Sequence, residues 1–201
     1  MSKAEVTEEM IRTHWFPNHK VQLYSDLDNG LELLIWGKDD TSTFLVNYIR
    51  HQQVLHVSGD LGCAAYWWSQ LNSLRWIAGC NLGYFASKCE SSENGRQFKE
   101  FDTDTLRRQV EESLQRMEGE DPQIHERFNG YQGWDHMDDG QQAWQAWCLQ
   151  HGYEVWGDCW YMDVPDGMRI NPRCHGHLVG LKMAFEQLGK LAKALEGERS
   201  T

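Results

Sequence analysis

Short apolar runs set off by turn-type clusters dominate residues 20 to 58. VQLYS, LELLIWG, STFLVNYIR and QQVLHVSG are rich in Val, Leu, Ile, Tyr and Phe, and DLDNG, KDDT and RHQQ lie between them. This pattern predicts an antiparallel β-meander of about four strands. Ahead of it, VTEEMIRTHW predicts one helix, with Thr7 as its cap and acids in its first turn. After Ser58, small residues, aromatics and glycines mix without a fixed period, which reads as a strand, a glycine turn and short helices.

Further along, the period lengthens. Thr105, Leu106, Val110, Leu114 and Met117 recur at helical spacing and predict a helix from Asp102 to Met117, capped by Asp102 or Thr103. Met137, Trp144, Trp147 and Cys148 predict another over 137 to 151, with Gly152 as its stop signal. Leu178, Leu181, Ala184, Phe185, Leu188 and Leu191 form the apolar stripe of a last helix, from about Cys174 to Leu195, that docks on the body. EGERST reads as a frayed tail. Together these predict an α+β fold, with the meander packed against helices from the second half. It is read as one domain over 1–201, divisible into a sheet-containing part, 1–98, and an acidic, mainly helical part, 99–201.

A chain of 201 residues can bury a core without disulfides, and ten tryptophans supply large rings for it or anchors for a partner. The N-terminal MSKAEVTEEM lacks the apolar stretch of a signal peptide, and no run of about 18 apolar residues occurs, so a soluble cytoplasmic protein is expected, with no membrane partner. The cysteines at 63, 80, 89, 148, 159 and 174 include no CxxC pair, which fits a reducing compartment and thiols buried as small hydrophobes.

Charge sharpens this picture. The net charge of −11 disfavours direct binding to a nucleic-acid backbone and favours a basic or amphipathic partner. Between Glu100 and Asp166 stand 16 acids and 4 bases, or −12, which leaves +1 for the rest. Such a segment can steer a basic partner at long range, or serve only as a solvated face. Glu118, Glu120, Asp121, Asp135, Asp138 and Asp139 are its candidate partner-binding residues, expected in loops or first turns.

Other clusters carry candidate chemistry. GWDHMDDG fails as a calcium loop, because counting from Asp135 puts Met137 at position 3 and Ala146 at position 12. His136 with an aspartate could hold a metal, but a helix cap and first-turn acids explain Asp138 and Asp139 more simply. CHGH, with Cys174, His175 and His177, would need two further zinc ligands such as Cys159 or His151, and lacks paired zinc spacing. The alternative to a binding protein is a small hydrolase or transferase. It would use Asp60 in GDLG, which lacks the lysine of a phosphate loop, together with Lys88, whose cation could activate Cys89 in SKCESSENGR, a stretch closed by Arg96. Tyr66, Trp67 and Trp68, and Trp156, Trp160 and Tyr161, are either core or recognition anchors. No cofactor is expected.

The order VSGDLGCAAYWWS, GCNLGYFASKCESSENGR, HGYEVWGDCWY and CHGHLVGLKMAFEQL resembles a family of uncharacterised bacteriophage and prophage proteins, over His14 to Leu188. The resemblance implies an accessory phage protein acting on a host protein, with anti-defence activity of the anti-CRISPR kind, in some cases by mimicking DNA. The resulting expectation is a non-enzymatic inhibitor that binds a host nucleic-acid-handling protein through its acidic surface. Unburied tryptophans would favour a homodimer.

Overall fold

The computed structural model of the chain describes residues 6–27, 29–93, 98–158 and 160–198. Arg96 and Cys159 therefore lie outside the described residues. The fold is α+β and divides into two compact units, one of Ala4–Lys99 with Ile170–Thr201, the other built on Glu100–Arg169.

The four apolar runs form β1 (Lys20–Leu27), β2 (Leu31–Lys38), β3 (Thr41–His51) and β4 (Val54–Gly59). Two further strands, β5 (Ala64–Trp67) and β6 (Cys89–Ser92), extend the meander to six antiparallel strands in the order β1 to β6. Alternation then assigns the faces. Leu34 and Trp36 pair with Tyr48 and Val46, which continue to Val57 and to Leu55 and Tyr66 on the same side, all buried.

Against this face lies α9 (Pro172–Glu198), which contributes Leu178, Leu181, Ala184 and Phe185. Its stripe is buried from Leu178 to Phe185 as the spacing predicts, whereas Leu188 is partly buried and Leu191 is 54% exposed. The helix runs on through EGE of the expected tail, and residues 199–201 lie outside the described ones. The second half is not the sole source of cover. The N-terminal α1 (Glu8–Met10), capped by the Thr7 hydroxyl, continues as a π-helical turn, Ile11–Trp15, and Ile11 and Phe16 join the core. Leu74 and Ile77 of α2 (Leu74–Ala78) and Phe85 of α3 (Leu82–Ser87) also pack there.

One charged pair sits inside this apolar layer. Glu32 of β2 is directly opposite Arg50 of β3, with Arg50 Nε 2.6 Å from Glu32 Oε1 and both side chains more than nine-tenths buried. The backbone N–H of Leu74 donates to both Glu32 oxygens at 3.2 Å, and Arg50 donates to the Gln52 carbonyl at 3.0 Å. The pair thereby ties the start of α2 to the sheet.

The Glu100–Arg169 unit is helical. It contains α4 (Thr103–Glu118), α5 (Ile124–Gly130), α6 (Gly133–Asp138), α7 (Gln141–Trp156) and α8 (Trp160–Asp163). Asp102 caps α4 by accepting from Thr105 N at 2.9 Å. The core is aromatic: Phe128 meets Trp134, Trp147 and Trp156 edge to face, and Trp144 stacks on Trp147. Two short strands, β7 (Lys99–Phe101) and β8 (Met168–Ile170), pair where the chain enters and leaves this unit, and Arg169 bridges Glu100 and Asp102 there.

The helix predicted over 137–151 is instead two helices, broken at Gly140, whose φ of +96° suits glycine. Gly152 is not a stop, since α7 runs through it to Trp156 and ends before Gly157. A Cβ at Gly152 would lie 2.5 Å from the Trp160 ring, so the glycine is required by packing.

Two stability measurements check this account. Arg50→Met strands the buried Glu32 carboxylate and is expected to cost about 3–5 kcal/mol in urea unfolding, whereas the double replacement Glu32→Leu with Arg50→Met recovers most of the loss. Gly152→Ala forces the Trp160 ring aside and is expected to cost about 1–3 kcal/mol, read as a lowered melting temperature.

Candidate functional site

The helical unit carries the chain's whole charge excess. Glu100–Arg169 holds 16 acids and 5 bases, or −11, and the remaining residues hold 14 of each sign. Charges concentrated on one packed unit sum to a field that acts at distances where single ion pairs do not.

The six acids singled out by sequence fall into two groups. At the C-terminal end of α4, Glu118 lies 3.9 Å from His125, and Asp121 is ion-paired with Arg127, which also donates to the Glu154 carbonyl at 3.1 Å. These contacts gather Glu118, Glu120 and Asp121 with Glu126 and Glu154, and Arg127 holds the Asp121 carboxyl below its usual range. Near the start of α4, Arg107 contacts Asp138 at 2.7 Å and lies over the Trp134 ring, which places Asp135, Asp138 and Asp139 in the other group. Arg107 and Glu118 are separated by roughly 16 Å along the helix axis.

Asp138 and Asp139 are not first-turn acids of the following helix. They are the last residue and the C-cap of α6, the negative end of its dipole, and Arg107 offsets this at Asp138. Glu120, Asp135 and Asp139 are exposed, with no ion-pair partner among the described residues.

The same unit has an apolar groove that the sequence reading missed. It encloses about 370 Å³ between α7 and the segment 160–166, lined by Trp144, Cys148, Leu149, Trp160, Tyr161 and Asp166. Trp144 is fixed by donation from its indole to the Pro165 carbonyl at 2.8 Å. Leu149 and Tyr161 are among the most exposed large apolar residues described, at 76% and 68%. The available signal was α7 itself: Leu149 and Tyr153, one turn apart, form a second apolar stripe beside the buried one.

The other candidates have structural partners. In CHGH, His175 contacts the Val6 carbonyl, and His177 is fully buried. His177 Nε2 faces the Leu61 carbonyl at 3.2 Å and so carries the proton, which makes Nδ1 the acceptor for the Tyr66 hydroxyl at 3.0 Å. Burial lowers the His177 pKa to about 4 and pushes the Cys174 thiol up to about 12. His136 is partly exposed on α6, and His151 stacks on Tyr131. Among the described residues, no group of three His, Cys, Asp or Glu side chains could hold a metal ion.

Asp60 accepts from Phe44 N at 2.8 Å, the Lys88 ammonium lies over the Tyr84 ring, and the buried Cys89 thiol faces the Ser91 carbonyl. Tyr66, Trp68 and Trp156 are core, while Trp67 and Tyr161 are at the surface. Four of the five described cysteines, Cys80, Cys89, Cys148 and Cys174, are buried. Among the described residues no helix is long and apolar enough to cross a membrane. Comparison of the chain with models of protein families, with curated proteins and with solved structures found no match.

His177 makes stability pH-dependent. The folded ring takes a proton only near pH 4 and the unfolded ring near 6.5, so between these values the unfolded chain binds more protons and stability rises with pH. Acidification from pH 7 to pH 4 therefore removes stability on the order of 3 kcal/mol through this group. Two observations check it: a falling urea midpoint over that range, and His177 ring resonances that stay at neutral-imidazole positions down to pH 5.

Proposed function

We propose that this chain is a phage accessory protein, not an enzyme, that binds and blocks a host nucleic-acid-handling defence protein through its acidic helical unit. The observation that carries this reading is the location of the whole net charge on Glu100–Arg169, a separately packed unit that also holds an apolar groove. The resemblance to phage proteins supplies the setting.

Each feature has a physical part in this scheme. Exposed carboxylates steer a basic groove toward the unit and occupy the places that phosphates would take. Field alone gives fast but salt-labile association, so the Leu149 and Tyr161 groove adds the desolvated contact that slows release. The preferred partner segment thus combines lysine or arginine with one apolar or aromatic side chain. A partner bound in this way loses access to its nucleic acid by direct competition.

Charge reversal tests the proposal, and the geometry selects the residues. Asp121 and Asp138 are left intact, because a lysine there would face Arg127 or Arg107 and unsettle the fold. Glu118→Lys with Glu120→Lys and Glu126→Lys alters one group, and Asp135→Lys with Asp139→Lys alters the other. All five positions are exposed. Circular dichroism and melting should stay close to the parent, within about 1 kcal/mol per site. Affinity capture from infected-host lysate at low salt should lose the basic partner by at least tenfold, and high salt should release it from the parent protein. Folded variants that capture and inhibit the partner as well as the parent does would refute the acidic-surface reading.

A further inference from the structure

On the unit that carries the sheet, α2 and α3 border a hollow of about 480 Å³, lined by Arg75, Trp76, Gly79, Cys80, Asn81 and Tyr84. This volume is in the range of small-molecule sites. Trp76 is 48% exposed and Tyr84 40%. Their rings meet edge to face, with centroids 6.3 Å apart and planes at 77°, so they form an aromatic corner. A planar ring stacked on one presents its edge to the other.

The polar groups around this corner are donors and cations. Arg75 lies over the Phe185 ring at 5.5 Å, and the Lys88 ammonium lies 4.8 Å from the centre of the Tyr84 ring. Neither has an ion-pair partner among the described residues, whereas Arg12, Arg50 and Arg173 of the same unit are each paired with a glutamate. Asn81 accepts from Tyr84 N at 2.8 Å through its side-chain oxygen, which leaves its amide N–H groups to donate, and the Trp76 indole N–H finds no protein acceptor among the described residues. No carboxylate lines the hollow. The local field follows from this. Burial pushes the Cys80 thiol up, while the charged groups that act on it, Lys182 and Lys88, both draw it down.

We propose that this hollow binds a mononucleotide, its base stacked on Trp76 and its phosphate held by Arg75 and Lys88. The two kinds of group select this ligand together. A neutral aromatic molecule leaves both cations without an anion, an aromatic amine is repelled by them, and a bare phosphate leaves the aromatic corner in water. A nucleotide joins a planar ring, whose edge accepts from Asn81 or the indole, to an anion that a guanidinium can hold through paired hydrogen bonds. The net charge of −11 opposes a long strand of nucleic acid, but a single nucleotide responds to groups within a Debye length of about 8 Å, where the cations dominate. The site lies apart from the acidic helical unit and does not depend on its role.

Isothermal titration calorimetry of the full chain with adenosine 5′-monophosphate, adenosine and inorganic phosphate tests the site. The monophosphate is expected to bind one to one with a Kd below about 1 mM, and adenosine and phosphate each about tenfold more weakly or worse. Added salt should weaken the monophosphate alone or most. Trp76→Ala and Arg75→Gln should each weaken it by about tenfold while circular dichroism stays native. Lys88→Gln gives an independent reading should Trp76→Ala fail to fold. Arg116→Gln, which removes an exposed cation from the helical unit, should leave binding unchanged. The proposal is overturned by a monophosphate that does not bind at about 5 mM, or by adenosine or phosphate binding as tightly as the monophosphate does. It is overturned equally by folded Arg75→Gln and Lys88→Gln variants that bind like the parent, or by an Arg116→Gln variant that loses as much.

Discussion

A single turn of α9 is gripped by three different parts of the sheet unit. The Tyr48 hydroxyl donates to the His177 carbonyl at 2.8 Å, the Tyr66 hydroxyl to the His177 ring, and that ring to the Leu61 carbonyl. All of these polar groups are buried, so sliding or rotating the helix would strand them at about 1–3 kcal/mol each. Apolar contacts between Leu178, Leu181 and the strands hold the helix down without fixing where it sits, whereas the hydrogen bonds allow one position. Gly180 and Gly176 make the approach possible: a Cβ at Gly180 would lie 2.6 Å from the Tyr48 hydroxyl, and one at Gly176 would lie 2.6 Å from Leu61.

With that register fixed, the two units divide the physical work. The sheet unit is balanced in formal charge and stabilised by burial, and among its described ion pairs Glu32–Arg50 is the one more than nine-tenths buried on both sides. The helical unit carries the excess acid, and its aromatic core absorbs the resulting self-repulsion. Several of its acids are spent internally, on Arg107, Arg108, Arg127 and Arg169. Those that remain, such as Glu120 and Asp139, are the ones a partner can meet.

The meander was legible in the sequence because each strand is a local run bounded by turn residues, and α4 and α9 because their apolar periods are long. β5 and β6 were less so, since two short helices separate them and CESS at β6 is mostly polar. The role of Gly152 was hidden for a different reason. Its glycine is demanded by Trp160, a contact that spacing does not encode, whereas a glycine after a helical run reads as a stop. The acids were found by counting, but their division into two groups depends on where α5 and α6 pack along α4. The groove was partly visible as the second apolar stripe of α7, and its other wall, at Trp160 and Tyr161, needed the fold.

Because α9 follows the acidic unit in the chain, the sheet is synthesised well before the helix that covers it. Roughly 80 residues separate the end of β6 from the start of α9, and translation at about 5–20 residues per second makes this a delay of several seconds. During that interval Leu34, Trp36, Tyr48 and Leu55 have no α9 against them. Apolar surface left open during synthesis is prone to aggregate, so the order of the elements along the chain, as well as the stability of the finished fold, bears on how the protein folds.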